Sequence, residues 1–149
     1  MRPSILIADD HRLYADALRS MLSPSYEIVG IATNGRELTE LAVQFKPDLV
    51  VTDHSMPLLN GLKAIRALTK LGLRSRFVVL TTNRHANFVV EVFRSGASAF
   101  LLKTGSSDEF TKALSVVLDG GYYLSAQLTC DLANVLEQAG CPAVYGNTG

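Results

Sequence analysis

Five short apolar runs recur along the chain, each followed by a segment of helical periodicity, and no other feature constrains the fold as strongly. The runs are Ser4–Ala8, Glu27–Ala32, Leu49–Thr52, Phe77–Thr81 and Ala99–Leu102, and their starts lie 22 to 28 residues apart. That interval accommodates one strand and one crossover helix. Most runs are apolar at consecutive positions, as expected for strands covered on both faces of a parallel sheet.

The intervening segments are amphipathic. Leu13, Ala17, Leu18 and Met21 share one helical face, as do Leu38, Leu41, Ala42 and Phe45, and then Leu62, Ile65 and Leu68. Phe110, Ala113, Leu114 and Val117 repeat the pattern after Ser106 and Ser107, which predict an N-cap with Asp108 and Glu109 in the first turn. Phe88, Val89, Val90, Val92 and Phe93 instead wrap most of their segment, which suggests contact with another chain, the competing reading being a crowded core. Five strand–helix units, (βα)5, predict a doubly wound α/β sandwich of three layers around a five-stranded parallel sheet.

Composition narrows the class. At 149 residues the chain fits one domain, and 14 Lys+Arg balance 14 Asp+Glu, so no basic field points to nucleic acid or an anionic membrane. No apolar run approaches a membrane span, and Asp9 and Asp10 end the first run too early for a signal peptide. Cys130 and Cys141 lack a C-x-x-C spacing and read as free thiols, so the expected location is cytoplasmic. Residues 1–124 are expected to form the domain. Residues 125–149 are expected to supply a linker helix at Ala126–Gln138 and a loose tail.

In an open α/β sheet the ligand site forms beyond the carboxyl ends of the strands, where strand order reverses. That rule selects Asp9 and Asp10 after the first run, Asp53 after the third, Thr81 at the end of the fourth and Lys103 after the fifth. Three carboxylates in one cleft need a cation, because each pair at ~4 Å costs about 4 kcal/mol at an effective dielectric of 20. Oxygen-only ligands with room for waters and a phosphate match Mg2+. Lys103 and Thr81 are then placed to bind phosphoryl oxygens, with Asp53 as nucleophile. The acid pair also admits a helix-capping reading, although one aspartate would suffice for that. His11, His54 and His85 fall on the same edge, but no H-x3–5-H spacing supports zinc.

These residues carry a family resemblance. Ile5-Leu6-Ile7-Ala8-Asp9-Asp10-His11, Asp48-Leu49-Val50-Val51-Thr52-Asp53-x-x-Met56-Pro57-x-x-x-Gly61-Leu62 and Gly96-Ala97-x-x-x-Phe100-Leu101-Leu102-Lys103 resemble the receiver domain of two-component response regulators, above all the NarL/LuxR type. The resemblance covers about Ile5 to Leu124 and implies a flavodoxin/CheY-like fold. It implies phosphorylation of Asp53 by a sensor histidine kinase, with Mg2+ on Asp9, Asp10, Asp53 and the backbone carbonyl of Ser55. Thr81 is then the switch hydroxyl, Phe100 the aromatic that rotates with it, and Lys103 the phosphoryl-binding cation. Ser55 and Asn83 lie at positions that modulate the phosphoryl lifetime. Thr104 stands where many receivers carry a proline.

Such a chain catalyses only its own phosphorylation and dephosphorylation. The expected output is transcription, after phosphorylation-dependent homodimerisation through a face containing Phe88, Val90 and Phe100. DNA is then contacted only through a C-terminal helix-turn-helix domain, for which residues 121–149 are too few, so the expectation is a receiver cut from a longer regulator. The alternative is a stand-alone or phosphorylation-independent receiver acting by protein contacts. An Asp-nucleophile phosphohydrolase fits less well, because Asp53-His54-Ser55 lacks Asp-x-Asp. A flavin-binding module would want a glycine-rich phosphate loop where the chain has two aspartates.

Overall fold

The computed structural model describes residues 2–54, 56, 60–82 and 91–125. The strands are β1 (Ser4–Ala8), β2 (Glu27–Ala32), β3 (Leu49–Asp53), β4 (Arg76–Thr81), β5 (Ala99–Leu102) and β6 (Tyr123–Leu124). The helices are α1 (Arg12–Leu22), α2 (Gly35–Phe45), α3 (Gly61–Lys70) and α4 (Ser107–Leu118), and residues 91–94 are also helical. One parallel sheet results, in the order β2-β1-β3-β4-β5-β6. The chain winds outward from β1 to β2, then returns to place β3 on the other side of β1. The switch point therefore lies between β1 and β3.

Alternate residues of each buried strand face opposite layers. Leu6, Val50, Val79 and Phe100 pack with Leu38 and Ala42 of α2, Leu62, Ile65 and Leu68 of α3, and Val92 and Phe93. Ile5, Ile7, Val51, Val78 and Leu101 pack instead with Ala15, Leu18 and Leu22 of α1 and Phe110, Ala113, Leu114 and Val117 of α4. Side-chain caps set three of the helix starts. Asn34 accepts from the Glu37 N–H at 2.8 Å. Asn60 accepts from the Lys63 N–H at 2.9 Å, and Ser106 accepts from the Glu109 N–H at 3.1 Å.

Several sequence expectations are corrected. Leu13 is 87% exposed and Met21 is also exposed, so α1 buries the stripe Ala15, Leu18 and Leu22. The helix carries two overlapping apolar stripes, and docking on β1 selects one. Phe45, at the last position of α2, is exposed as well. Val92 and Phe93 are core residues, which favours the crowded-core reading for them. Phe88, Val89 and Val90 lie outside the described residues, as do the expected linker helix and tail.

The sheet also has a sixth strand beyond the expected five. Tyr123 pairs with Ala99 and Leu124 with Phe100, and the Ser125 N–H donates to the Phe100 carbonyl at 2.9 Å. Without β6, the outer edge of β5 would present unpaired backbone groups. Among the described residues, no helix is long and apolar enough to cross a membrane.

Candidate phosphoryl-transfer site

Backbone ladders carry on past the strand ends and aim the site residues. The Asp9 N–H donates to the Ala32 carbonyl at 2.9 Å, the His54 N–H to Leu80 at 2.9 Å, and the Lys103 N–H to Thr81 at 2.8 Å. Asp53 is itself the last residue of β3, paired with Leu80. Asp9, Asp10, Asp53 and Lys103 therefore meet at the switch point, as the strand-end rule requires.

Asp9 is 1% exposed, and Asp53 is also buried. Lys103, with a side chain only 9% exposed, places Nζ 2.8 Å from Asp9 Oδ2 and 3.3 Å from Asp53 Oδ2. The helix-capping reading of the acid pair fails. The N-cap of α1 is His11, which makes no side-chain cap bond, and Asp9 Oδ1 accepts the His11 N–H at 2.8 Å. Asp9 thus orders the β1–α1 connection and leaves Oδ2 to Lys103.

A close backbone approach shapes the other wall. The Gly61 N–H donates to the His54 carbonyl at 3.2 Å, and a Cβ at Gly61 would stand 2.5 Å from the Asp53 carbonyl oxygen. Only glycine lets α3 start this close to the end of β3.

Two further residues join the site: His11, which the sequence placed on this edge without supporting it as a zinc ligand, and Tyr14, which was not singled out. His11 Nδ1 lies 3.2 Å from Asp9 Oδ1, 3.5 Å from Asp10 Oδ1 and 3.9 Å from Asp53 Oδ2. The ring of Tyr14 lies under the Lys103 ammonium, 4.7 Å from Nζ to the ring centroid, a cation–π contact. Burial, and then the charges of Asp9 and Asp53, push the Tyr14 hydroxyl up to about 12. The available signal was spacing: His11 follows the acid pair directly, and Tyr14 stands one turn further along α1. His54 is drawn the other way, with burial lowering its pKa against the opposing pull of Asp53 and Glu91.

Thr81 is buried at the end of β4, beside the backbone of Lys103. Phe100 is 0% exposed, sealed by its pairing with Val79 and Leu124. Phe100 therefore contributes no exposed surface to the expected contact face, because its side chain points into the layer under α3, and Phe88 and Val90 lie outside the described residues. Ser55 and Asn83 lie outside the described residues.

One oxygen from each of the three aspartates and one ring nitrogen of His11 lie within 4.8 Å of one another. The three carboxylate oxygens suit a hard divalent cation that keeps several waters. A family model described as the response regulator receiver domain matches residues 5–115.

The chain belongs to the response regulator receiver domains.

This receiver is 36% identical over 136 residues to the nitrate/nitrite response regulator protein NarL of Escherichia coli K12, covering 90% of this chain and 63% of NarL. It is 32% identical over 130 residues to the transcriptional regulatory protein DegU of Brevibacillus brevis, covering 86% of this chain and 55% of DegU. It thus spans less than two thirds of either relative. The signal receiver domain of NarL from Mycobacterium tuberculosis superposes with a TM-score of 0.77 at 27% identity, covering 80% of this chain and 98% of that one. In this receiver, then, the switch-point cluster lies wholly inside the matched residues, together with His11 and Tyr14.

Proposed function

We propose that this receiver accepts a phosphoryl group on Asp53 from the phosphohistidine of a sensor histidine kinase. The observation that carries the reading is the buried Asp53 carboxylate at the switch point, 3.3 Å from the Lys103 ammonium and beside Asp9 and Asp10. One Asp53 oxygen forms a bond to phosphorus as the donor's phosphorus–nitrogen bond breaks, and the electron pair leaves with the imidazole. Asp9, Asp10, Asp53 and the Ser55 carbonyl are the proposed Mg2+ ligands. When bound, the ion neutralises charge on the transferring phosphoryl group.

Lys103 then exchanges its contact with Asp53 for one with the phosphoryl oxygens, and Thr81 donates its hydroxyl to them. The new charge of about −1.5 to −2 redraws the cleft and the adjoining β4 and β5 ends. Phe100 is the proposed aromatic that responds, and Ser55 and Asn83 the residues that set the phosphoryl lifetime. The proposed organisation is a receiver at 1–124 followed by a linker at 125–149, acting in the cytoplasm. Output is transcription through a helix-turn-helix domain after homodimerisation, a reading supported by the likeness to DegU, a transcriptional regulatory protein.

Intact-mass measurement tests the central step. Acetyl phosphate with Mg2+ should add one phosphate to the wild-type chain and none to Asp53→Asn or to wild type in excess EDTA. Labelling of Asp53→Asn at the wild-type level would place the nucleophile elsewhere.

A further inference from the structure

We infer that His11 is a nitrogen ligand of the acidic pocket, so that the pocket takes a borderline transition-metal ion such as Ni2+ more tightly than Mg2+. The inference rests on the proposed reading of Asp9, Asp10 and Asp53 as metal ligands. It goes further by adding a nitrogen donor to those oxygen ligands and by assigning the pocket a different preferred ion.

Three observations carry it. His11 Nδ1 faces one oxygen of each aspartate, at 3.2, 3.5 and 3.9 Å. In an octahedral shell with bonds of about 2.1 Å, neighbouring donors stand ~3 Å apart and opposite donors ~4.2 Å apart. All three separations fall in that span. The His11 N–H is also held by Asp9 Oδ1 at 2.8 Å, which ties the backbone of the proposed donor to a proposed ligand. Finally, the His11 ring and Asp10 are exposed while Asp9 and Asp53 are buried, so the imidazole stands with Asp10 on the solvent side of a set whose floor is carboxylate.

The chemistry of the donors then sets the preference. Mg2+ favours oxygen ligands and retains its waters, whereas imidazole favours Ni2+, Cu2+ and Zn2+, and affinity for mixed N/O sites rises along the first-row series. The competing role for His11 is that of a counter-charge to the aspartates. The two roles separate cleanly. A counter-charge competes with every cation, so its removal tightens Mg2+ and Ni2+ together, whereas removal of a ligand weakens Ni2+ alone.

The experiment is calorimetric titration of the full chain with Ni2+ and, separately, with Mg2+, for wild type, His11→Ala and Asp10→Asn. Spin-echo spectra of the Mn2+-loaded proteins are recorded alongside. His11→Ala should weaken Ni2+ about tenfold or more without weakening Mg2+, and should erase the nitrogen modulation seen for Mn2+ in wild type. Unchanged Ni2+ affinity in His11→Ala, a joint tightening of both ions, or no nitrogen modulation in wild type would overturn the assignment. If wild type takes no Mg2+ while His11→Ala still loses Ni2+, the phosphoryl-site reading falls and the His11 site stands.

Discussion

Lys103 Nζ lies 2.8 Å from Asp9 Oδ2, although β5 and β1 are separated in the sheet by β3 and β4. The side chain spans the mouth of the site and meets Asp53 on the way, at 3.3 Å. One buried ammonium therefore balances two buried carboxylates drawn from different strands. Any new charge on Asp53 must redistribute that ammonium, which links the chemistry at β3 to the connection between β5 and α4.

The same arrangement predicts a stability cost. Lys103→Met leaves Asp9 and Asp53 buried without their cation and should destabilise by about 3 kcal/mol, as loss of one partner of a buried pair does. Saturating Mg2+ should recover much of this, about 2.7 kcal/mol at 100 times Kd. Urea unfolding midpoints with EDTA and with Mg2+ provide the check. A variant as stable as wild type in EDTA would mean that water, not Lys103, compensates the aspartates.

Asp10 behaves differently because it is partly exposed and has no contact with Lys103 among its ion pairs; its nearest basic atom there is His11 Nδ1, at 3.5 Å. Removing its charge relieves repulsion from Asp9 and Asp53, so Asp10→Asn should gain about 1 kcal/mol in EDTA. It should also lose most of the Mg2+-induced rise in melting temperature. Thermal unfolding of wild type and variant in both conditions measures the two effects. A lower melting temperature than wild type in EDTA would make Asp10 a structural residue.

Gly61→Ala sets a Cβ 2.5 Å from the Asp53 carbonyl oxygen, a backbone atom that cannot swing aside. The expected loss is about 1–3 kcal/mol together with slower phosphorylation by acetyl phosphate, because β3 and α3 must separate. Gly30→Ala is the control. Its Cβ would meet only the side chains of Leu6 and Leu41, at 3.5 and 3.7 Å, so it should be neutral or slightly stabilising.

Alkaline pH should destabilise the fold through Tyr14 and Tyr123. Both hydroxyls are pushed from 10.0 to about 12, Tyr14 by burial, Asp9 and Asp53, and Tyr123 by burial and Glu109. The unfolded chain gives up these protons first. The contribution is therefore fully present below pH 10 and is lost as pH rises through about 12. Urea midpoints should hold from pH 8 to about 10 and fall above it, and Tyr14→Phe and Tyr123→Phe should each make the fall shallower. An unchanged slope in both variants would assign the loss to other groups.

The strands were legible in the sequence because a strand covered on both faces must be apolar at consecutive positions. β1, β2 and β5 fall on the expected residues, and β3 and β4 each extend by one. The meeting of Asp9, Asp10, Asp53 and Lys103 was legible for a related reason, since strand order alone decides which strand ends become neighbours. Tertiary structure decided what local pattern leaves degenerate. The helix α1 carries two apolar stripes, and packing on β1 chose Ala15, Leu18 and Leu22 over Leu13 and Met21. A two-residue strand such as β6 has no period to detect and exists because β5 offers an open edge. Phe100 is buried because its face of the sheet is covered by Ile65 and Leu68 of α3 and by Val92 and Phe93. His11 and Tyr14 join the site because α1 starts immediately beside it; their spacing from the acid pair was visible in the sequence, but which side of the helix start faces the cleft was set by packing.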